Sequence, residues 1–181
     1  MTKQITVLAS GDGSNFQALI DAGLPVSHVV CDKTDAHIIE RADQNGIFWS
    51  LIQKSPDKTL EEWGDDIIDI VGDPDLIVCA GFMRILPKNV CDVYTNKIIN
   101  IHPSLLPAYK GSINALHDAY QHGDLTYGIT VHHVTEEVDA GPIIAQESFT
   151  VEYGTLFSKI QKQAKELEHK LIVEVVKDLI K

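Results

Sequence analysis

Cysteine is scarce in this chain. Cys31, Cys79 and Cys91 are three, an odd number, and no two stand at Cys-x-x-Cys spacing. That argues against a disulfide framework or a zinc site and fits a reducing, cytoplasmic setting. Long apolar runs are missing as well. None approaches the ~20 residues of a membrane span, and the polar MTKQ start lacks the apolar segment of a secretion signal, so no membrane partner is expected. Positive charge is in short supply: Lys and Arg total 15 against 26 Asp and Glu, a formal net charge of −11. Such a surface repels polyphosphate backbones at long range, which argues against nucleic acid as a partner. A small anion is still admissible, because a few backbone amides can bind one against the bulk field. Linkers, internal repeats and low-complexity segments are also lacking. The 181 residues therefore read as one domain, 1–181, long enough for a sizeable core.

What is present has the grammar of an α/β protein. ITVLAS reads as a first strand, followed by a GDG turn and a helix from Ser14 to Ala22. VSHVVC is a second strand, followed by a helix from Ala36 to Asn45, and FWSLI is a third. TLEEWGDDIIDIV is an amphipathic helix with apolar Leu60, Trp63, Ile67 and Ile70, and DLIVCA and KIINI are strands four and five. Continuous apolar strands separated by helices imply a parallel sheet covered on both faces. After Gly111 the pattern changes. NALHDAYQHG is a short helix, and TYGITVHHV and PIIAQESFTV, joined by TEEVDAG, read as an antiparallel pair. Leu156, Ile160, Leu167, Leu171, Val175 and Leu179 then fall near helical spacing. The predicted fold is a doubly wound, mostly parallel, Rossmann-like α/β sheet with a C-terminal antiparallel pair and a long closing helix.

Four segments could carry chemistry. SGDGSN, Ser10 to Asn15, permits a tight turn in which Ser14 or Asn15 caps a helix whose free N–H groups face an anion. A plain strand-to-helix turn accounts for it equally well. CAGFMRILP, Cys79 to Pro87, is either core packing with a surface Arg84 or an apolar wall for a flat ligand at the sheet's carboxyl edge. In NIHPSLLP, Asn100 and His102 stand two apart on one strand face. A donor amide beside an imidazole suits acyl transfer, one stabilising an oxyanion and the other moving a proton; a structural histidine at a strand end is the plainer alternative. VDAG places Asp139 where it could raise a histidine's pKa, or where Asp-Ala-Gly simply makes a turn. His132 and His133 point to opposite faces, one buried and one exposed. No second ligand cluster has metal spacing, so no metal is expected. ELEHK reads as a solvated helix face.

In their order along the chain, SGDGSN, AGFMRIL, NIHPSLLP, TVHHV and VDAGPIIAQ resemble the phosphoribosylglycinamide formyltransferases, a family of folate-dependent formyl-transfer enzymes, over nearly the whole length. The resemblance implies transfer of the formyl group of 10-formyltetrahydrofolate, as co-substrate, to the amine of glycinamide ribonucleotide in purine synthesis. Both are small molecules. It implies that Gly13, Ser14 and Asn15 hold the substrate phosphate and that Glu168 contacts its ribose. It implies that Met83, Arg84, Ile85 and Leu86, with Asn100, bind the folate. Asn100, His102 and Asp139 match catalytic residues, with Asp139 raising the pKa of His102. In that scheme Asn100 and a protonated His102 stabilise the oxyanion, and His102 protonates the departing folate nitrogen.

Two departures stand out. Leu60 occupies the place of a basic residue expected three before an aromatic, with Lys58 and Lys54 nearby, and Ala108 to Tyr120 is an unfamiliar version of the following segment. A 10-formyltetrahydrofolate hydrolase or a methionyl-tRNA formyltransferase-like enzyme is the nearest rival. The charge of −11 disfavours tRNA, and the absence of an amino-terminal regulatory domain and of an appended nucleic-acid-binding domain disfavours both. A non-catalytic folate- or nucleotide-binding protein is the rival from another class, and the joint presence of Asn100, His102 and Asp139 speaks against it.

Overall fold

In the computed structural model, residues 3–181 are described; Met1 and Thr2 of the MTKQ start lie outside the described residues. In chain order the elements are β1 (Ile5–Ala9), α1 (Ser14–Asp21), β2 (Val26–Cys31), α2 (His37–Gln44), β3 (Phe48–Leu51), α3 (Leu60–Val71) and β4 (Leu76–Cys79). They continue with α4 (Lys88–Val93), β5 (Ile98–His102), α5 (Ala115–His122), β6 (Thr126–His133), β7 (Ile143–Thr150) and α6 (Phe157–Leu179).

The strands are apolar on both sides because both sides are covered. Ile5, Val7 and Ala9 of β1 join a core cluster with Phe16 of α1, Ile38 of α2 and Ile172 of α6. Leu8 points the other way, into a cluster with Trp63 of α3 and Val90 of α4. The same alternation separates Val78 from Ile77 and Ile99 from Ile98, as a period of two requires. Phe16 and Trp63 are almost wholly enclosed. Truncating either to alanine would cost roughly 3–5 kcal/mol.

The strand order is β3-β2-β1-β4-β5-β6-β7. Pairs from β3 to β5 are parallel, while β6 is antiparallel to β5 and β7 antiparallel to β6, the expected architecture. Because β1 lies beside β4, the chain leaves these neighbouring strands toward opposite faces, α1 on one and α4 on the other. A crevice opens at their carboxyl ends, where open α/β sheets bind ligands.

Three local details depart from the sequence pattern. Helix α4 has no counterpart in it. The helix is six residues long and buries Val90 and Cys91, too short for a periodicity to show. Thr59 and Glu62 form a reciprocal capping box at the start of α3, which turns Leu60 outward rather than onto the apolar face. Leu156, the N-cap of α6, and Leu179 at its end are exposed, and Ala164, Ile172 and Val176 complete the buried stripe.

Candidate active site

The loop after β1 is shaped by Gly13. Its φ is 75°, and a Cβ there would lie 2.7 Å from the Ile38 side chain, so α2 packs where any other residue would collide. Gly13 itself is the N-cap of α1. Contrary to expectation neither Ser14 nor Asn15 caps the helix, because both are already inside its first turn. No side chain among the described residues caps the helix start, so its N–H groups stay available to an anion. Beside it, Asp12 draws three groups together: Arg41 Nη2 at 3.3 Å, His37 Nδ1 at 3.4 Å and Lys165 Nζ at 3.5 Å. Ser14, Arg41, Lys165 and His169 line a small cavity there of ≈ 290 Å³.

The loop after β4 is fastened to the first. Ser10 N–H donates to the Gly81 carbonyl at 3.0 Å, and Ser10 Oγ accepts the Met83 N–H at 2.8 Å. Met83 and Ile85 emerge 56% and 67% exposed, while Leu86 turns inward. Arg84 is a surface residue, its side chain 56% exposed, but an anchored one: its Nε donates to Asp32 Oδ2 at 2.7 Å, and the Asp32 side chain is 1% exposed. Asp32 has no motif to mark it, since only the fold brings the end of β2 to this loop.

At the end of β5, strand periodicity puts Asn100 and His102 on one face. The β5–β6 register adds His132 directly opposite Asn100 and Thr130 opposite His102. His132, which no motif ties to the chemistry, is buried as a core histidine would be, but it belongs to the site; His133 is half-buried rather than exposed. His132 Nδ1 contacts the His133 carbonyl at 2.8 Å and therefore donates to it. Its Nε2 is then the acceptor for Asn100 Nδ2–H at 3.2 Å. Asp139 closes the group. Its Oδ2 lies 3.2 Å from His102 Nε2 and its Oδ1 3.6 Å from His132 Nε2. Oδ2 also accepts the Gly111 N–H at 2.9 Å. The loop carrying Asp139 is held close by Gly141, where a Cβ would sit 1.8 Å from the His133 carbonyl oxygen.

The His102–Asp139 approach lacks the alignment of a hydrogen bond, and His102 Nε2 has no hydrogen-bond partner among the described residues. Burial is the largest influence on this imidazole and pushes its pKa below the ordinary value. Asp139 pulls it up, His132 pushes it down and the Ser112 backbone favours the charged form. Asp139 acts on His102 in the expected direction, upward, while desolvation acts against it. Glu168 corrects the reading of ELEHK as a solvated face. Burial pushes its pKa up, and its Oε2 accepts a long 3.4 Å hydrogen bond from Asn15 Nδ2. Asn15 Oδ1 is buried without a partner among the described residues.

One cavity of ≈ 550 Å³ is lined by Asn15 and Glu168, by Gly81 to Leu86, and by Asn100, His102, His132 and Asp139. Among the predicted residues, Gly13 and Ser14 are not among those lining it; Ser14 lines the smaller cavity. Lys54, Lys58 and Leu60 also lie outside the larger cavity's lining. Lys58 pairs with Asp66, and Lys54 donates to the Lys58 carbonyl.

An open α/β sheet whose carboxyl edge gathers an amide, two imidazoles and a carboxylate beside an apolar wall is the framework of a group-transfer enzyme. A family profile described as formyl transferase matches residues 3–176. The chain is 37% identical to the phosphoribosylglycinamide formyltransferase of Bacillus subtilis (strain 168) over 188 aligned positions, 98% of this chain and 95% of that protein. The solved structure of phosphoribosylglycinamide formyltransferase from Streptococcus pneumoniae TIGR4 superposes with a TM-score of 0.93 at 31% identity, covering 99% of each chain. That of glycinamide ribonucleotide transformylase 1 from Geobacillus kaustophilus gives 0.91 at 34%, covering 100% of each. The chain belongs to the formyl transferase family.

Proposed function

We propose that the protein transfers the formyl group of 10-formyltetrahydrofolate to the amine of N1-(5-phosphoribosyl)glycinamide, a step of purine biosynthesis. The observation that carries this reading is the convergence of Asn100, His102 and Asp139, an apolar wall and the Asn15–Glu168 pair on one cavity. Its volume lies within the range of small-ligand sites, about 300–1,000 Å³. Met83, Ile85 and Val138 are exposed apolar side chains on its lining, suited to a flat, partly apolar ring. Arg84, steadied by Asp32, and Leu86 complete that wall, with Asn100 at its inner side.

The uncapped first turn of α1, from Gly13 through Ser14 and Asn15, receives the substrate phosphate, with Arg41 and Lys165 as nearby cations. Glu168, which has acceptor capacity to spare, takes hydrogen bonds from the ribose hydroxyls. At the transfer point, Asn100 stabilises the oxyanion with an N–H. Of the two hydrogens on Nδ2, His132 takes one, and the other, without a partner among the described residues, serves this purpose.

His102 carries the proton. Because burial favours the neutral imidazole, His102 begins as a base rather than as a preformed acid. It takes the proton released as the amine bonds to the formyl carbon, then delivers it to the folate nitrogen as that bond breaks. The imidazolium lives between these events, and Asp139 supplies the counter-charge. The proton gained equals the proton returned, so the site ends as it began.

Absorbance monitoring of 10-formyltetrahydrofolate consumption, with and without the ribonucleotide, tests this function. Consumption should require the ribonucleotide. Consumption that ignores it would identify a hydrolase, and calorimetric binding with no consumption at all would identify a non-catalytic binder.

A further inference from the structure

Asp32 stands one residue beyond β2, and its side chain is 1% exposed. It is a buried carboxylate with little to hold it. Oδ2 accepts from Arg84 Nε at 2.7 Å, and Oδ1 is enclosed without a hydrogen-bond partner among the described residues. Taking a carboxylate out of water is costly, and one ion pair offsets that cost poorly when the partner is itself exposed. The Arg84 side chain is 56% exposed. Stability alone is therefore a poor reason for a carboxylate at this place.

What the pair does fix is direction. A guanidinium carries five N–H donors in one rigid plane. With Nε committed to Asp32, the donors on Nη1 and Nη2 have no partner among the described residues, and Arg84 lines the larger cavity. The surrounding fold frames the contact. Strand β1 separates β2 from β4, so Asp32 and the loop after β4 stand two strand spacings apart, about 10 Å, a gap that a long side chain can cross. Between them Ser10, the residue after β1, holds the same loop through the Gly81 carbonyl and the Met83 N–H. Ser10 fixes the backbone of this loop, and Asp32 fixes its charge.

We propose that Asp32 is a positioning residue for the co-substrate: it acts through Arg84, orienting the guanidinium so that its uncommitted N–H groups meet an acceptor oxygen, carbonyl or carboxylate, on the folate. The inference deepens the proposed function and rests on its reading of Met83 to Leu86 as the folate wall. The oxygen at position 32 matters more than the charge. An asparagine side chain can still accept from Nε, whereas an alanine cannot.

The test is made by substitution in the full chain. Asp32→Ala should raise KM for 10-formyltetrahydrofolate about tenfold, with kcat and KM for the ribonucleotide within about twofold. Asp32→Asn should keep the folate KM within about threefold of the unmodified protein. Arg84→Met alone would strand a buried carboxylate, so the coupling is read in double variants. With Arg84→Met added, Asp32→Ala and Asp32→Asn should give the same folate KM. A difference between the doubles as large as that between the singles overturns the proposal, because Asp32 would then act by a route that bypasses Arg84. So does an unchanged folate KM in Asp32→Ala, or a fall in kcat with a matched rise in both KM values, the mark of a merely structural brace. Calorimetric titration of the variants with 10-formyltetrahydrofolate separates this role from the function itself. The expected order of affinities in a chain that transfers no formyl group supports the positioning role and removes the proposed function. Equal affinities across the variants of an active enzyme overturn the positioning role and leave the function standing.

Discussion

Asn100 and His132 face each other across the antiparallel β5–β6 pair, with the amide nitrogen 3.2 Å from the imidazole Nε2. The His133 carbonyl holds the hydrogen of His132 on Nδ1, so the amide can present only an N–H to it. An amide turned the other way would set an oxygen against a lone pair.

Replacing His132 should therefore loosen Asn100 without removing it. His132→Leu is expected to lower kcat about tenfold, equivalent to ~1.4 kcal/mol, with KM for both substrates little changed. His132→Gln, whose side-chain oxygen can still accept the N–H, should recover most of the loss. Steady-state kinetics on the two variants decides this. Equal damage from both would mean that bulk, not the acceptor, is what Asn100 needs.

The pH–rate profile tests the base role of His102. Burial holds its pKa below the ordinary imidazole value, so the acidic limb of kcat/KM should lie below about pH 6.5. Activity is lost as pH falls through that pKa, because the proton acceptor is filled beforehand. Asp139 raises the same pKa; Asp139→Asn should thus move the limb to still lower pH. It should also lower the plateau by about ten- to a hundredfold, since the imidazolium loses its counter-charge. A limb that stays in place or moves upward would break the pairing. His102→Ala should nearly abolish turnover while folate binding survives; activity within about tenfold of the unmodified enzyme would remove the assigned role.

Much of this site is legible in the order of the amino acids. Strand periodicity alone puts Asn100 and His102 on one face, and the apolar runs imply the parallel sheet whose carboxyl edge they occupy. Other parts depend on register and on contacts distant in sequence. His132 reaches Asn100 only because β6 returns antiparallel beside β5. Asp32 reaches Arg84 from the end of β2. The segment around Ala108, opaque in sequence, offers a carbonyl to the Ser104 hydroxyl and, at Gly111, an N–H to Asp139. Glu168 is legible by resemblance but not by pattern, since its neighbours Glu166 and Lys170 are exposed as a solvated face requires.

Glu168 should trade stability against binding. Burial raises its pKa above the ordinary carboxylate value, so the folded state holds the proton more tightly than the unfolded chain. The sign is then fixed: this effect favours the folded state below the unfolded pKa and is lost as pH rises through the folded one. At neutral pH the enclosed carboxylate opposes folding. Glu168→Gln should raise Tm at pH 7 by about 2–4 °C, a gain that shrinks toward pH 4, while KM for the ribonucleotide rises. Thermal melts at both pH values check the first half. A lower Tm at pH 7 would count against it.

On the proposed reading, Asp12 sets the charge where the substrate phosphate would bind. Its carboxylate lies within 3.5 Å of Arg41, His37 and Lys165, occupying in the free protein the cations that an incoming phosphate would use. Asp12→Asn removes this internal competitor and leaves a side chain of nearly the same shape. KM for the ribonucleotide should fall about three- to tenfold at low ionic strength, since a unit charge a few ångströms away is worth about 1 kcal/mol even in water. kcat should hold, because Asp12 does not line the cavity of the transferring groups. Salt screens exposed charges over roughly 10 Å at 0.1 M, so the advantage should shrink as salt is added. Measuring KM for both proteins across a salt series separates this from loss of anchorage: if freeing Arg41 and Lys165 merely lets them wander, KM will rise instead, and the loop's own acid is a support rather than a competitor.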